Sequence, residues 1–406
     1  VSIPDDWIAT NVGNSAAFLT GFPFASTKFS QAGVRLIRGS NVKRGVLDWS
    51  AEITKYWPIN DSSLRAFILR EGDIVIAMDG ALVGRSFARI TSTDLPSFLV
   101  QRVARLRGTM VDQNLLYQWI GSHAFARHVD DRKTHTAIPH ISPNDIRDFP
   151  ILIPSSSAEQ RRIAEALSDA DDLIATLEKT KAKKQAIKQG LMQQLLTGKT
   201  RLPGFTKTWS STTLGALASI SRGASPRPIA SSRWFDSNSD VRWVRIADVS
   251  RSDGRTLRVT TQALSPDGIA RSRFLKAGTL IMSIAATVGI PVITGVPTCI
   301  HDGFVALENL KADQRFLLYL LKASEATLRE AGQSGSQMNV NTDIVRGLAV
   351  RLPDDRNEQE RIAEVLWDLD DQIFTLERRI VKNWTIKQGM LQQLLTGRTR
   401  LPAKGE

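Results

Sequence analysis

The sequence predicts a multidomain α+β chain in which two similar globular α/β parts are separated by two long helices. Those helices are expected to pair as an antiparallel coiled coil about a pseudo-twofold axis. Three observations predict this. A segment of 45 residues occurs twice without a gap. Within each copy, apolar residues recur in alternating steps of four and three. The stretches before the two copies carry strand-like and helix-like runs in one order, while their loops differ almost completely. The implied segments are 1–157 and 204–357 for the globular parts, with 158–203 and 358–406 as helical spacers.

The repeat comes first because it sets the architecture. Glu159-Gln160 opens one copy and Glu358-Gln359 the other, and at a constant offset of 199 residues about 29 of 45 positions match. Pro154 with Ser155-Ser156-Ser157, and Pro353 with Asp354-Asp355 and Asn357, supply side chains that cap a helix start. Gly198 and Gly397 follow the last apolar pair, where a residue of left-handed conformation ends a helix. No proline interrupts either run, so each reads as a rod on the order of 60 Å long. The expected seam in the first copy is Ile163, Leu167, Ile174, Leu177, Ile187, Leu191 and Leu195, with Lys181 and Lys184 also on it. In the second it is Ile362, Leu366, Leu369, Ile373, Leu376, Ile380, Met390 and Leu394. So narrow an apolar stripe needs a partner helix, and the other copy is the nearest candidate.

Each globular part opens with a tryptophan and a [Val/Leu]-Gly pair: Trp7 with Val12-Gly13, and Trp209 with Leu214-Gly215. Runs alternating apolar and basic residues follow, at Val34–Val42 and Val241–Val249, which read as strands with one wet face. A strand led by glycine comes next (Gly72 onward, Gly278 onward), then helical stretches near 114–127 and 313–331. A polar turn and a short strand close each part at Pro154 and Pro353. The longest apolar run, Leu280 to Val296, contains Gly289, Pro291 and Gly295, and reads as two buried strands around a turn and not as a membrane span.

Charge narrows the class of partner. The formal net charge is +12, and 28 of the 36 basic residues in the globular parts are arginine. Arginine forks onto phosphates and guanine edges, so a polyanion is expected, with nucleic acid ahead of membrane. The single cysteine, Cys299, excludes a disulfide framework and a cysteine-based zinc site and suggests a reducing compartment. The five histidines show no metal-ligand spacing. The first residues lack the basic and apolar regions of a signal peptide, so the expectation is a cytoplasmic protein.

Paired Pro-x(4)-Glu-Gln openings, paired Leu-Leu-Thr-Gly-[Lys/Arg]-Thr-Arg-Leu endings and repeated Trp…[Val/Leu]-Gly starts, set around two divergent domains, resemble the specificity (S) subunit of a type I restriction-modification enzyme. The resemblance runs over essentially the whole chain. It implies that the globular parts are target recognition domains, each reading one half of a split double-stranded DNA site. It implies that the helices set the spacing and dock two methyltransferase (modification) subunits, which bring restriction subunits. A subunit of a type IIB-like enzyme would carry the same features. A coiled-coil adaptor with no nucleic-acid role fits the helices but not the divergent Arg-rich loops.

No catalytic centre or cofactor is expected. Gly198-Lys199-Thr200 ends like a phosphate-binding loop, but Gln193 stands where that loop needs glycine, and the segment follows a helix instead of preceding one. There is no Gly-rich loop after a strand for S-adenosylmethionine, and no Asn/Asp-Pro-Pro-aromatic run. Asp169, Asp171 and Asp172, with Asp368, Asp370 and Asp371, spread over different faces of a helix and are expected to be solvated or to meet a partner. The DNA-contact candidates are Arg35, Arg38, Asn41, Lys43, Arg44, Arg102 and Lys133 in the first part. In the second they are Arg222, Arg227, Arg242, Arg245, Arg251 and Gln337.

Overall fold

A computed structural model describes residues 3–58, 62–332 and 340–402. The chain divides into two compact units, Val1–Glu178 with Arg378–Glu406, and Lys179–Glu377.

In the first unit, a five-stranded sheet runs in the order Ala16–Thr20, Val103–Gly108, Ile74–Ala77, Phe87–Arg89, Arg44–Gly45, antiparallel except for its last pair. Ile74 through Ala77 are all buried, because both faces of this strand are covered. Successive side chains point to opposite faces. Ile74 and Ile76 therefore join Ala104 and Leu106 beneath the helices Gln113–Ile120 and His123–Asp130, while Val75 and Ala77 pack with Ile37, Ala88, Leu99 and Val103. A smaller sheet pairs Val34–Ile37 antiparallel with Tyr56–Trp57 and parallel with Ser97–Leu99. Trp7–Asn11 lies antiparallel to Pro150–Pro154, so the opening strand of the unit clasps the closing one.

The second unit repeats this plan. Its five-stranded sheet runs Ser219–Arg222, Phe304–Glu308, Leu280–Ser283, Pro291–Thr294, Thr256–Leu257. The two strands expected within Leu280–Val296 are fully buried and pair antiparallel, Leu280 opposite Ile293. Arg242–Val244 lies between Gln262–Ala263 and the parallel strand Thr298–Ile300, with Arg273–Leu275 added at the far edge. Trp209–Thr213 clasps Ala349–Pro353. The alternating runs are shorter as strands than their pattern suggested. At Arg38 and Arg245 each chain leaves the sheet into a short helical turn, Gly39–Asn41 or Ile246–Arg251.

The two repeat copies are single helices of 39 residues, Ser157–Leu195 and Arg356–Leu394. The ends that the two copies share have structural work within each unit. In the first unit, Gln160 accepts the Asp112 N–H at 2.6 Å and donates to the Pro154 carbonyl at 2.8 Å. In the second, Gln359 takes the Asp313 N–H and gives to the Pro353 carbonyl, both at 2.8 Å. Each glutamine thus ties a long helix to the cap of the domain helix and to the clasp. Glu358, wholly buried, receives Arg201 Nε at 2.9 Å, and Glu159 receives Arg400 Nε at 2.9 Å. Gly198 and Gly397 have φ of +68° and +69°; a Cβ would lie 3.1 Å from Trp209 on the first and 2.7 Å from Pro4 on the second. Helix-ending geometry and close approach to the domain start therefore both call for glycine.

Each unit contains half of each helix, and the halves run in opposite senses along one another. In the second unit Lys181 meets Glu377 at 3.0 Å and Lys188 meets Asp370 at 2.6 Å, with Leu195, Leu196, Ile362 and Leu366 in one core. In the first unit Lys387 meets Asp171, and Ile163, Leu167, Leu391 and Leu394 share a core. Ile174, Leu177, Ile373 and Leu376 are buried and Leu191, Leu369, Ile380 and Met390 half-buried. Ile187 departs from expectation. It is 44% exposed, and Lys188 takes its place in the four-three progression, just as Lys387 does in the second copy beside exposed Ile386. Apolar pattern points to the isoleucine; the lysine holds the position because an aspartate stands opposite it, Asp370 for Lys188 and Asp171 for Lys387. Asp171, partly exposed, and Asp370, buried, are held by these lysines, Asp171 also by Gln118 Nε2 at 2.9 Å and Asp370 by Tyr319.

Tyr319 sits between Lys188 and Lys322, whose ammonium groups lie 5.6 and 5.3 Å from its ring. Burial first, then the neighbouring Lys188 charge, push Lys322 from 10.5 down to about 8, against the pull of Asp370 and Asp253 and with Arg255 adding repulsion. The folded chain therefore releases this proton before the unfolded chain does. Below pH 8 the cost of holding the charge is constant; between about pH 8 and 10.5 it is relieved, so stability rises with pH across that window. In urea unfolding, Lys322→Met is expected to be more stable than the parent at pH 7 by on the order of 1–3 kcal/mol, with the gap narrowing by pH 10.

Candidate nucleic-acid interface

In each unit a parallel pair of the smaller sheet brings two strand ends to one edge. Leu36 is opposite Phe98 and Ile37 opposite Leu99; Trp243 is opposite Cys299 and Val244 opposite Ile300. The chain beyond both strands then leaves side by side, so residues 38–43 and 100–102, or 245–251 and 301–303, form a corner. Grooves outside the carboxyl ends of parallel strands are where ligands reach backbone and loop side chains. A glycine from the neighbouring sheet closes each corner. A Cβ on Gly21 would lie 2.2 Å from the Val100 carbonyl oxygen, and one on Gly223 2.1 Å from that of His301.

The same turn is built twice with different chemistry. Asn41, wholly buried, accepts the Arg38 N–H at 3.1 Å and donates to the Asp48 carbonyl at 3.0 Å. Asp248 accepts the Arg245 N–H at 3.0 Å, and its other oxygen takes the Thr261 N–H, the Thr261 hydroxyl and Arg251. A carboxylate accepts more bonds than an amide oxygen, and the second turn is correspondingly longer. Asn41, buried and with both polar atoms bonded, holds the turn and does not face outward to a base.

The arginines separate into pinned and presented. Arg35 donates to the Thr93 carbonyl at 2.6 Å and the Leu95 carbonyl at 3.1 Å and lies over the Trp49 ring. Arg38 turns inward to the Ile53 carbonyl over Phe29, and burial lowers its pKa. Both support the fold. Arg242 is half-buried in its strand, Lys43 faces Asp48 at 3.9 Å, and Lys133 pairs at 2.7 Å with Asp130, which Arg85 also grips. Arg44 is exposed on an edge strand. Arg102, with φ +67°, projects from the first corner 3.4 Å from Asp79. The second corner is richer. Arg222 Nε donates to the Asp302 carbonyl at 2.7 Å, Arg227 stands 3.5 Å from its carboxylate, and Arg245 is exposed with Nε on Gln262 at 2.6 Å. The Ser225 hydroxyl first, then His301 and Arg227, hold the Asp302 carboxyl below its usual range. Arg251 is partly tied to Asp248 and the Ala247 carbonyl. Gln337 lies outside the described residues. Nothing local marks His301 and Asp302; the parallel pairing of Arg242–Val244 with Thr298–Ile300 brings them to Arg245, and the antiparallel pairing of Ser219–Arg222 with Phe304–Glu308 brings them to Arg222.

A family model described as the type I restriction modification DNA specificity domain matches residues 20–189 and again 206–383. The chain belongs to that family. Each specificity-domain match includes one corner and ends within a long helix. Among curated proteins, the chain is 35% identical over 187 residues to the type I restriction enzyme EcoAI specificity subunit of Escherichia coli, covering 44% of this chain and 30% of that protein. It is 27% identical over 205 residues to the MjaVIII specificity subunit of Methanocaldococcus jannaschii, covering 49% of this chain and 48% of that protein. Each match thus spans less than half of the relative's length. In fold it is similar to a type I restriction-modification S subunit from M. genitalium, with a TM-score of 0.65 at 14% identity over 97% of this chain and 98% of that one. A chain from a structure concerned with assembly and conformational transition of a type I R-M system gives 0.58 at 18% identity, over 98% of this chain and 100% of that one. Among the described residues no helix is long and apolar enough to cross a membrane.

Proposed function

We propose that this chain is the non-catalytic DNA-recognition subunit of a type I restriction-modification complex, each globular part reading one half of an asymmetric, bipartite double-stranded target. The observation that carries the reading is one scaffold built twice with unlike corners. The clasp, sheet order, capped turn and Glu–Arg lock recur, while one corner presents Arg102 beside Asp79 and the other Arg222, Arg227 and Arg245 around Asp302. Shared scaffolding with unlike polar groups suits two different base sequences, because base edges are distinguished by donor and acceptor pattern. The paired helices set the spacing between half-sites and dock two methyltransferase subunits, through which restriction subunits join, and the complex works in the cytoplasm. Family membership at both domains supports this.

The test is to express the chain with its methyltransferase partner and map methylated adenines across a genome. A split, non-palindromic motif is the expected result. A continuous or palindromic motif, or methylation without sequence preference, would overturn the proposal.

A further inference from the structure

We propose that His301 is a specificity-determining residue of the second globular part, presenting a fixed N–H donor to a hydrogen-bond acceptor on a base edge. The inference rests on the DNA-reading function above and adds to it the residue and the chemical pattern it reads.

The geometry assigns the tautomer. His301 Nδ1 accepts the Gly303 N–H at 2.8 Å, so the ring proton resides on Nε2. That contact depends on glycine, because a Cβ on Gly303 would stand 2.4 Å from His301 Cε1. The ring is oriented by Trp243, 6.0 Å away, and by Phe304, edge-on at 5.0 Å. Its side chain remains 21% exposed, and among the described residues Nε2 is neither bonded nor buried. A half-buried ring with one nitrogen committed and the other open is a preorganised donor. Burial and the nearby Arg245 charge outweigh the pull of Asp302 and keep the imidazole below its ordinary pKa, hence neutral at pH 7.

The neighbours say what it faces. Arg245, its Nε held by Gln262, keeps its terminal amines for a ligand, and Arg222 and Arg227 flank Asp302. A polyanion drawn to these arginines brings its base edges to the histidine. A neutral Nε2–H can serve guanine O6 or N7, adenine N7 or thymine O4, and cannot pair with the amino group of cytosine. In the first unit Val100 occupies the matching place beside Gly21 and offers no donor from its side chain.

The test uses the full chain with its methyltransferase partner, comparing methylated-adenine maps for the parent, His301→Phe and His301→Gln. His301→Phe should relax preference roughly ten- to a hundredfold at one position in one half of the motif, leaving the other half unchanged. His301→Gln, which restores a donor near the Nε2 position, should retain preference there, and if the phenylalanine variant does not fold, a relaxed position in His301→Gln overturns the assignment. An unchanged motif in His301→Phe would overturn the assignment. So would a loss of methylation spread evenly over both halves in a folded variant, or a relaxed position in His301→Gln equal to that in a folded His301→Phe. A parent map without a split motif would instead overturn the function beneath it, and the assignment with it.

Discussion

Asp370→Ala is expected to destabilise the protein by about 3–5 kcal/mol in denaturant unfolding, among the largest losses available from one side chain. Asp370 is buried and accepts from Lys188 at 2.6 Å and from the Tyr319 hydroxyl at 2.7 Å. Removing it leaves a lysine charge and a phenol together without their acceptor, next to the Lys322 ammonium. The loss is therefore the cost of what stays behind more than the worth of the pair itself. Replacing both members, as Asp370→Leu with Lys188→Met, should recover most of the deficit, since an apolar pair leaves only the phenol to satisfy. The equivalent Asp171→Ala removes the acceptor of Lys387 and Gln118, but the Asp171 side chain is 32% exposed against 10% for Asp370. Water can reach what is left, so its loss should be smaller. Equal losses at the two sites would contradict the burial argument.

Gly223→Ala should cost about 2–3 kcal/mol and abolish reading by the second globular part alone. The added methyl would meet the His301 carbonyl oxygen at 2.1 Å and that of Ile300 at 2.6 Å, both backbone atoms that cannot swing aside. The strand end carrying His301 and Asp302 must then move away from Arg222 and Arg227. Thermal unfolding and half-site preference are the measurements, with Gly190→Ala as the control. Gly190 lies within the first long helix with nothing within 4 Å of an added Cβ, so that variant should gain roughly 0.5–1 kcal/mol. A Gly223→Ala protein as stable as its parent, with both half-sites read, would show that the corner is looser than these distances imply.

The helices were legible because repetition exposes a constraint that a single copy hides. Two segments keep Glu-Gln at one end and Thr-Arg-Leu-Pro at the other, and in each unit those residues lock to one another: Arg201 on Glu358, Arg400 on Glu159. Yet the reading of the middle of the rods erred at Ile187. Apolar periodicity scores a lysine as an interruption and cannot register that an aspartate some 180 residues away, Asp370, supplies its counter-charge. The globular parts were legible in outline for a related reason. Buried strands announce themselves by apolar runs, as at Leu280–Val296, whereas the place where a strand yields to a turn is set by one side chain bonding one backbone N–H, as Asn41 and Asp248 do.

By itself the sequence determined the doubled plan, the two long helices, the basic character of the globular parts and the resemblance that family membership then bore out. These follow from local pattern, composition and repetition, which survive without knowing any contact. Only the tertiary structure decided which arginines face solvent and which are spent inside. Arg35 and Arg38 share the pattern of Arg245, but the first two end on carbonyls of the domain while Arg245 keeps its terminal amines outside. The physical reason is that a side chain's role depends on what distant strands bring to it. The pairing of residues 242–244 with 298–300 is a long-range event that no local signal encodes.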